Sequence, residues 1–160
     1  MTSNPTPLIG KFYTARQAID LCMLTLVLGR EAGNQRDGAV LAVGKSIDNR
    51  VKCRWRGKIG WEAIIEDRWQ YSSIEGPKSD PNLLKYPNLT FEPWERCLAI
   101  AELVYNGVGL DPTFGATHYY DRSLDPDPTR NGLDRRPVWA MDGSMSHTAD
   151  IEAFHFFKSA

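Results

Sequence analysis

The run Leu21-Cys22-Met23-Leu24-Thr25-Leu26-Val27-Leu28 is the longest uncharged apolar segment of the chain. It is far short of the ~20 residues that cross a bilayer. It is therefore expected to be buried within the protein, as the spine of a core. Ahead of it, Thr14-Ala15-Arg16-Gln17 has the form of a capping box: a hydroxyl and an amide that satisfy the unpaired amide hydrogens of a helix start. Ala15, Ala18, Ile19, Cys22 and Leu26 continue at helical spacing, which predicts a helix over about 14–31. Gly33 supplies a left-handed stop, because glycine reaches that conformation without a steric penalty. Glu31 is thus delivered to the edge of the core by the last turn of a rigid helix.

Asp37 can cap a second helix over about 38–52, with Val40, Leu41, Val43, Ile47 and Val51 inward. Its small residues Gly38, Ala39, Ala42 and Gly44 would admit another helix closely. Trp61 to Asp67 reads as a short helix, followed by an extended or turning path from Trp69 to Ser73 and a polar loop over 74–89. Glu92-Pro93-Trp94 opens a further helix, with Pro93 in the first turn, where its missing N–H is harmless. Leu98, Ala101, Leu103, Val104 and Tyr105 give this helix a buried face, and Asn106-Gly107 ends it. After the turn Asp111-Pro112-Thr113, Thr117-His118-Tyr119-Tyr120 reads as a strand, and Ile151 to Phe157 as a second one beyond a polar loop from Asp121 to Pro137. The expected architecture is one α+β domain over 13–160, mainly helical with a small late antiparallel sheet, behind a loose leader over 1–12.

With 42% hydrophobic and 24% charged residues among 160, the chain can bury a core without covalent staples. Its net charge of -1 gives no global pull toward nucleic acid or a membrane surface. Locally, Arg50, Lys52, Arg54, Arg56 and Lys58 cluster around Trp55, either as a solvated helix end or as a positive rim facing an anionic polymer. The three cysteines, Cys22, Cys53 and Cys97, are odd in number and lack metal-ligand spacing. Cys22 and Cys97 fall in apolar helical patterns and are expected to pack as small core residues. The first residues lack the charged start and apolar stretch of a signal peptide. The expectation is synthesis in a reducing cytoplasm, with any passage to a cell wall left to another device.

A helix C-terminus carries partial negative charge, which disfavours an ionised glutamate there by about 0.3–1 kcal/mol when exposed. Partial burial adds to the effect, and both favour the protonated carboxyl that a general acid requires. On these grounds alone Glu31 is either such an acid or a solvent-facing partner of Arg30 or Arg36.

Motifs along the chain bear on that choice. Leu28-Gly29-Arg30-Glu31-Ala32-Gly33, with Gly38 through Ala42-Val43 to Asn49-Arg50-Val51, resembles the opening of the SleB-like cell-wall hydrolases, the spore-cortex-lytic enzymes and their phage and bacterial relatives. Gln70-Tyr71-Ser72 matches that family's Gln-aromatic-Ser step. Asp111-Pro112-Thr113-Phe114-Gly115-Ala116-Thr117-His118-Tyr119-Tyr120 resembles its Asp-Pro-Thr turn and aromatic strand. Trp139 and Ile151 to Phe157, with His155, match its closing pattern. The resemblance covers about residues 20–157 in order and spacing. It departs at Gly33-Asn34-Gln35, where the family has Arg-Gly-Glu, and in the length of the 121–137 loop.

The resemblance implies a lysozyme-like fold that cleaves the glycan strands of peptidoglycan as a lytic transglycosylase or muramidase. Glu31 takes the catalytic position, and no cofactor is implied. It would protonate the oxygen linking N-acetylmuramic acid to N-acetylglucosamine, then act as base for the muramic 6-hydroxyl. A hydrolase would want a second carboxylate; Asp111, Glu62 and Asp67 are the candidates. Gln70, Tyr71 and Ser72 are placed as sugar or peptide contacts, with Thr113, Tyr119 and Tyr120 on the other wall. Trp139 is core or cleft wall. Asn49 either points back toward the glutamate or ends the second helix.

His118, His147 and His155 could be drawn as a metal set with Asp121 or Asp150, as in a zinc-dependent peptidoglycan amidase. They show no compact ligand signature, so no metal is assigned. The remaining alternative is a non-catalytic glycan-binding or structural component of a phage particle. The phage setting also suits an endolysin released through a separate pore protein, or a virion-borne wall enzyme.

Overall fold

The computed structural model describes residues 12–67, 70–71, 93–130 and 132–159. Most of the expected leader, the loop over 74–89 and Ser72 lie outside them. Within them the chain is α+β, as expected: helices α1 (Ala15–Ala32), α2 (Asp37–Lys52), α3 (Trp61–Ile65) and α4 (Pro93–Tyr105) precede strands β1 (His118–Asp121), β2 (Met145–Ile151) and β3 (Phe154–Ser159).

Helix α1 begins as its sequence requires. The Thr14 hydroxyl accepts from the Gln17 amide N–H, and the Gln17 side chain accepts from Thr14 N–H. Leu21, Leu24, Thr25, Val27 and Leu28 are buried, and the Thr25 hydroxyl returns its proton to the Leu21 carbonyl at 2.7 Å. The spine is nonetheless one-sided: Cys22 is exposed, contrary to expectation, whereas Cys97 is buried. Residue 22 lies on the solvent side of the 3.6-residue repeat, one position past Leu21.

Gly33 ends α1 differently from the expected left-handed stop. Its φ of -63° is right-handed, and glycine is needed there because an added Cβ would stand 2.3 Å from the Gly29 carbonyl oxygen. Nor does Asp37 cap α2. It lies in the first turn, and the cap residue is Arg36, whose amide N–H donates to Glu152 Oε2 at 3.0 Å from the β2–β3 turn. A carboxylate 116 positions away thus supplies the negative charge that a helix N-terminus favours.

The small residues of α2 do admit a close neighbour. Gly44 lies under α4, where an added Cβ would stand 2.9 Å from Val104 Cγ2. Val40, Val43 and Ile47 are fully buried, while Leu41 and Val51 are only partly so. The core joins residues of all four helices to Ala116, Phe154 and Phe156 at the sheet.

The sheet differs most from expectation. Ile151 to Phe157 is not one strand but the two arms of a hairpin, turning at Glu152 with φ +51°. Both arms pair antiparallel, giving the order β1-β3-β2. One sheet face carries Tyr119, Phe154 and Phe156 toward the helices. The other carries His118, Tyr120, His155 and Phe157.

Candidate active site

Glu31 and Tyr119 meet where the end of α1 faces β1. The Tyr119 hydroxyl donates to Glu31 Oε2 at 3.0 Å. Its ring is held edge-on to Phe154, with centroids 5.4 Å apart, and tilted over Phe156 at 5.8 Å. Strand alternation sends Tyr119 inward and Tyr120 to the opposite face.

Beneath this pair is a cluster organised by Arg50, buried on the last turn of α2 at 5% exposure. Its Nη1 donates to the Tyr71 hydroxyl at 3.0 Å and to Gln70 Oε1 at 3.3 Å, while Nε donates to the Thr117 carbonyl. The guanidinium also lies over the rings of Tyr71 and Trp55, 5.4 and 5.6 Å from their centroids. One side chain therefore ties α2 to the segment after α3 and to the entry of β1. Most of the basic stretch at 50–58 is the solvated helix end that was one of its two readings, with Lys52, Arg54 and Arg56 exposed, and Arg50 is the exception. Arg50 is internal, Lys52 pairs with Asp48 at 2.6 Å, and Arg56 and Lys58 converge on Asp67 at 3.5 and 3.3 Å.

The phenols are coupled electrostatically to the glutamate. Burial first, then the Glu31 charge, holds the Tyr119 hydroxyl well above its ordinary value. Burial likewise pushes Tyr71 up to about 12; Arg50 opposes this, and Glu31 and Asp67 add to it. Both hydroxyls keep their protons near neutrality; that of Tyr119 donates to Glu31, and that of Tyr71 accepts from Arg50. The arrangement is a carboxyl at a helix end, fixed at one oxygen by a phenol and backed by a buried cation. Such a group can give a proton and then carry the resulting charge.

The other residues expected at the site are distributed differently. Tyr71 is 1% exposed and supports the pair from within rather than presenting a surface to a sugar. Thr113 is fully buried, its hydroxyl donated to Asp111 Oδ1 at 2.6 Å, so it holds a turn instead of lining a wall. Tyr120 donates to Asp125 Oδ1 and stacks on Phe157, and Trp139 packs against His118, Tyr120 and Phe157. Both belong to the sheet face turned away from Glu31. Gln70 is half-buried against Arg50.

Asn49 neither turns to Glu31 nor merely ends α2. Its Nδ2 donates to Asp111 Oδ2 and to the Ala116 carbonyl, each at 2.9 Å. Burial pushes the Asp111 carboxyl up, but hydrogen bonds from Thr113, Asn49 and Gly115 together hold it below its usual value. Each carboxylate offered as a second catalytic group is thus engaged elsewhere: Asp111 in this turn, Glu62 with Arg16 at 2.7 Å, and Asp67 with Arg56 and Lys58.

Protein-family models, curated proteins and solved structures were compared with the chain. None of them matches.

Two arrangements had no sequence signal strong enough to find them. Arg50 read as one of five basic residues, and nothing in its spacing marked it as internal. His147, Asp150 and His155 converge, although no metal was assigned. His118, drawn beside them in the amidase alternative, stands apart: its Nδ1 meets the Thr117 hydroxyl at 3.0 Å, and burial, with Arg50 and Arg56, pushes its ring down to about 4. Asp121, the other alternative ligand, accepts from Ser123 N–H at 2.8 Å.

Proposed function

We propose that the protein cleaves the glycan strands of peptidoglycan, with Glu31 as general acid and then base. The observation that carries the reading is the hydrogen bond from Tyr119 to Glu31, at 3.0 Å across 88 positions. It joins the residue at the resemblance's catalytic position to one assigned to the substrate wall. In the first step Glu31 gives its proton to the glycosidic oxygen, and the departing sugar leaves as an alcohol. The carboxylate so formed accepts the Tyr119 hydrogen bond at Oε2. It then takes the proton of the muramic 6-hydroxyl, giving an anhydro end, or that of water, giving a reducing end. Engagement of Asp111, Glu62 and Asp67 elsewhere favours the one-carboxylate route and hence the anhydro product. A lysozyme-like core and a phage setting, as endolysin or virion component, belong to the same reading.

The test is digestion of purified sacculi, with and without chelator, followed by mass spectrometry of the released ends. Anhydromuramic ends formed equally in both arms support the reading, and reducing ends alone select the muramidase. Peptides released only without chelator would replace it with an amidase, and no turnover would leave a glycan-binding or structural component. Glu31→Gln is expected to abolish glycan cleavage with the fold intact by circular dichroism; a fully active variant would remove Glu31 from the chemistry.

A further inference from the structure

On the sheet face turned away from Glu31, the β2–β3 hairpin gathers three side chains with nitrogen and oxygen donors. His147 Nε2 lies 2.7 Å from Asp150 Oδ1, and His155 Nδ1 contacts the same oxygen. All three donor atoms fall within 4.8 Å of one another, the one such group of three His, Cys, Asp or Glu side chains among the described residues.

The strand register explains the gathering. Residues three apart on a regular strand point to opposite faces. Between His147 and Ala149, however, β2 contains an irregularity: His147 pairs with Phe157 and Ala149 with Phe156, leaving Thr148 as an extra residue. Such a bulge reverses the alternation beyond it. Asp150 is thereby brought opposite His155, on the face that His147 already occupies.

The remaining nitrogen of His155 is also engaged. Its Nε2 meets Asp125 Oδ2 at 2.9 Å, and the other oxygen of Asp125 accepts the Tyr120 hydroxyl at 3.0 Å. A histidine whose second nitrogen donates to an anchored carboxylate is the arrangement that orients metal-bound imidazoles and raises their basicity.

We propose that His147 Nε2, Asp150 Oδ1 and His155 Nδ1 bind one divalent transition-metal ion of the zinc class. Two imidazoles and one carboxylate suit zinc, cobalt, nickel or copper, whereas calcium and magnesium take oxygen donors. Bonds of about 2.0–2.2 Å to each donor place tetrahedral ligand atoms ~3.3 Å apart. A small rotation of the exposed Asp150 side chain opens the 2.7 Å contact to that spacing. An imidazole binds metal only in its neutral form, so affinity falls as pH falls. The fourth position faces solvent, because His147 and Asp150 are both exposed. Through His155 and Asp125 the ion would clamp the start of the 121–137 loop to the hairpin.

The site is tested on the full chain by cobalt(II) absorbance titration and zinc(II) calorimetry at pH 7.5. One ion per chain is expected, with zinc displacing cobalt and the cobalt spectrum lacking a thiolate charge-transfer band. His147→Ala and Asp150→Asn, both at exposed positions, are each expected to weaken binding at least tenfold. Asp125→Asn is expected to weaken it about 10–100-fold through His155. Saturating zinc is expected to raise the thermal midpoint of the parent but not of His147→Ala. No binding at millimolar ion would overturn the proposal. So would affinity unchanged by His147→Ala, or a thiolate band, which would assign the ion to the exposed Cys22 or Cys53. None of these readouts requires turnover, and Glu31→Gln is expected to bind the ion like the parent. The metal site and the glycan-cleaving site therefore stand or fall separately.

Discussion

Replacing Arg50 with methionine tests how the candidate site is held together. The substitution keeps most of the buried stem and deletes the guanidinium, which is 5% exposed as part of the residue. Three acceptors lose their donor: the Thr117 carbonyl, the Tyr71 hydroxyl and Gln70 Oε1. Gln70 is half-buried and can turn to water, so its loss adds little. Tyr71 at 1% and Thr117 at 9% exposure cannot. Leaving a buried polar group unsatisfied costs about 1–3 kcal/mol, so the two together cost about 2–6 kcal/mol. Two lost cation–π contacts add about 0.5–1 kcal/mol each. Against this, the variant no longer desolvates a charge, which returns several kcal/mol in the opposite direction. The balance expected is a loss of about 3 kcal/mol, a large share of an ordinary domain stability of ~5–15 kcal/mol. Urea unfolding followed by far-ultraviolet circular dichroism measures it, with an unchanged slope showing that the surface exposed on unfolding is the same. Arg50→Lys keeps the charge but cannot reach Tyr71, Gln70 and Thr117 together, so it is expected to recover less than half of the loss. A loss below ~1 kcal/mol in Arg50→Met, or full recovery in Arg50→Lys, would refute Arg50 as the post that ties α2, Tyr71 and β1.

Three further outcomes follow from named contacts. Tyr119→Phe keeps the ring against Phe154 and Phe156 but removes the donor to Glu31; a hydrogen bond to a charged group is worth about 1.5–3 kcal/mol, so the rate of sacculus cleavage is expected to fall ~10–100-fold with the fold retained. Gly44→Ala, which in an open helix position would stabilise by about 1 kcal/mol, is expected to destabilise by ~1–3 kcal/mol in urea, because the new methyl stands 2.9 Å from Val104 Cγ2. His118 has its ring pushed down from 6.5 to about 4 by burial first and then by Arg50 and Arg56, so its contribution to stability is full above pH 6.5 and lost as pH falls toward 4. That interval corresponds to about 3 kcal/mol, and His118→Asn is expected to flatten the stability–pH curve there relative to the parent.

Local chemistry made much of the helical part legible. The Thr14–Gln17 box, the apolar repeat through Leu28 and Pro93 in a first turn act within one or two turns of chain, so the starts of α1 and α4 follow from neighbouring residues alone. The smallness of Gly44 was equally readable as room for a partner, and Val104 fills it. Cys22 shows the limit of that reading: a continuous apolar run does not say which side meets solvent, and the packing of α4 and α2 against α1 left residue 22 outside.

At the site, sequence placed Glu31 on a helix end and Tyr119 on a strand, and by resemblance put both in one cleft. The hydrogen bond between them depends on where β1 crosses the end of α1, a contact across 88 positions that no local pattern encodes. Sequence places Tyr120 on the cleft wall and leaves Trp139 as core or cleft wall, because it does not reveal which sheet face each residue takes. Pairing of β1 with β3 sent Tyr120 to the other side, where Trp139 packs on it.

By itself, then, the sequence determined four helix positions, a late antiparallel sheet, the small face of α2 and a carboxyl at a helix terminus. The helix positions depend on contacts between residues a few positions apart, and the strands on the local alternation of their side chains. Only the tertiary structure decided that Arg50 would be internal and that Glu152 would cap α2. It also decided, through the extra residue at Thr148, that Asp150 would stand with His147 and His155. Burial, strand register and sheet face are set by partners distant in the chain, and a one-residue change in pairing reverses the direction of every side chain beyond it.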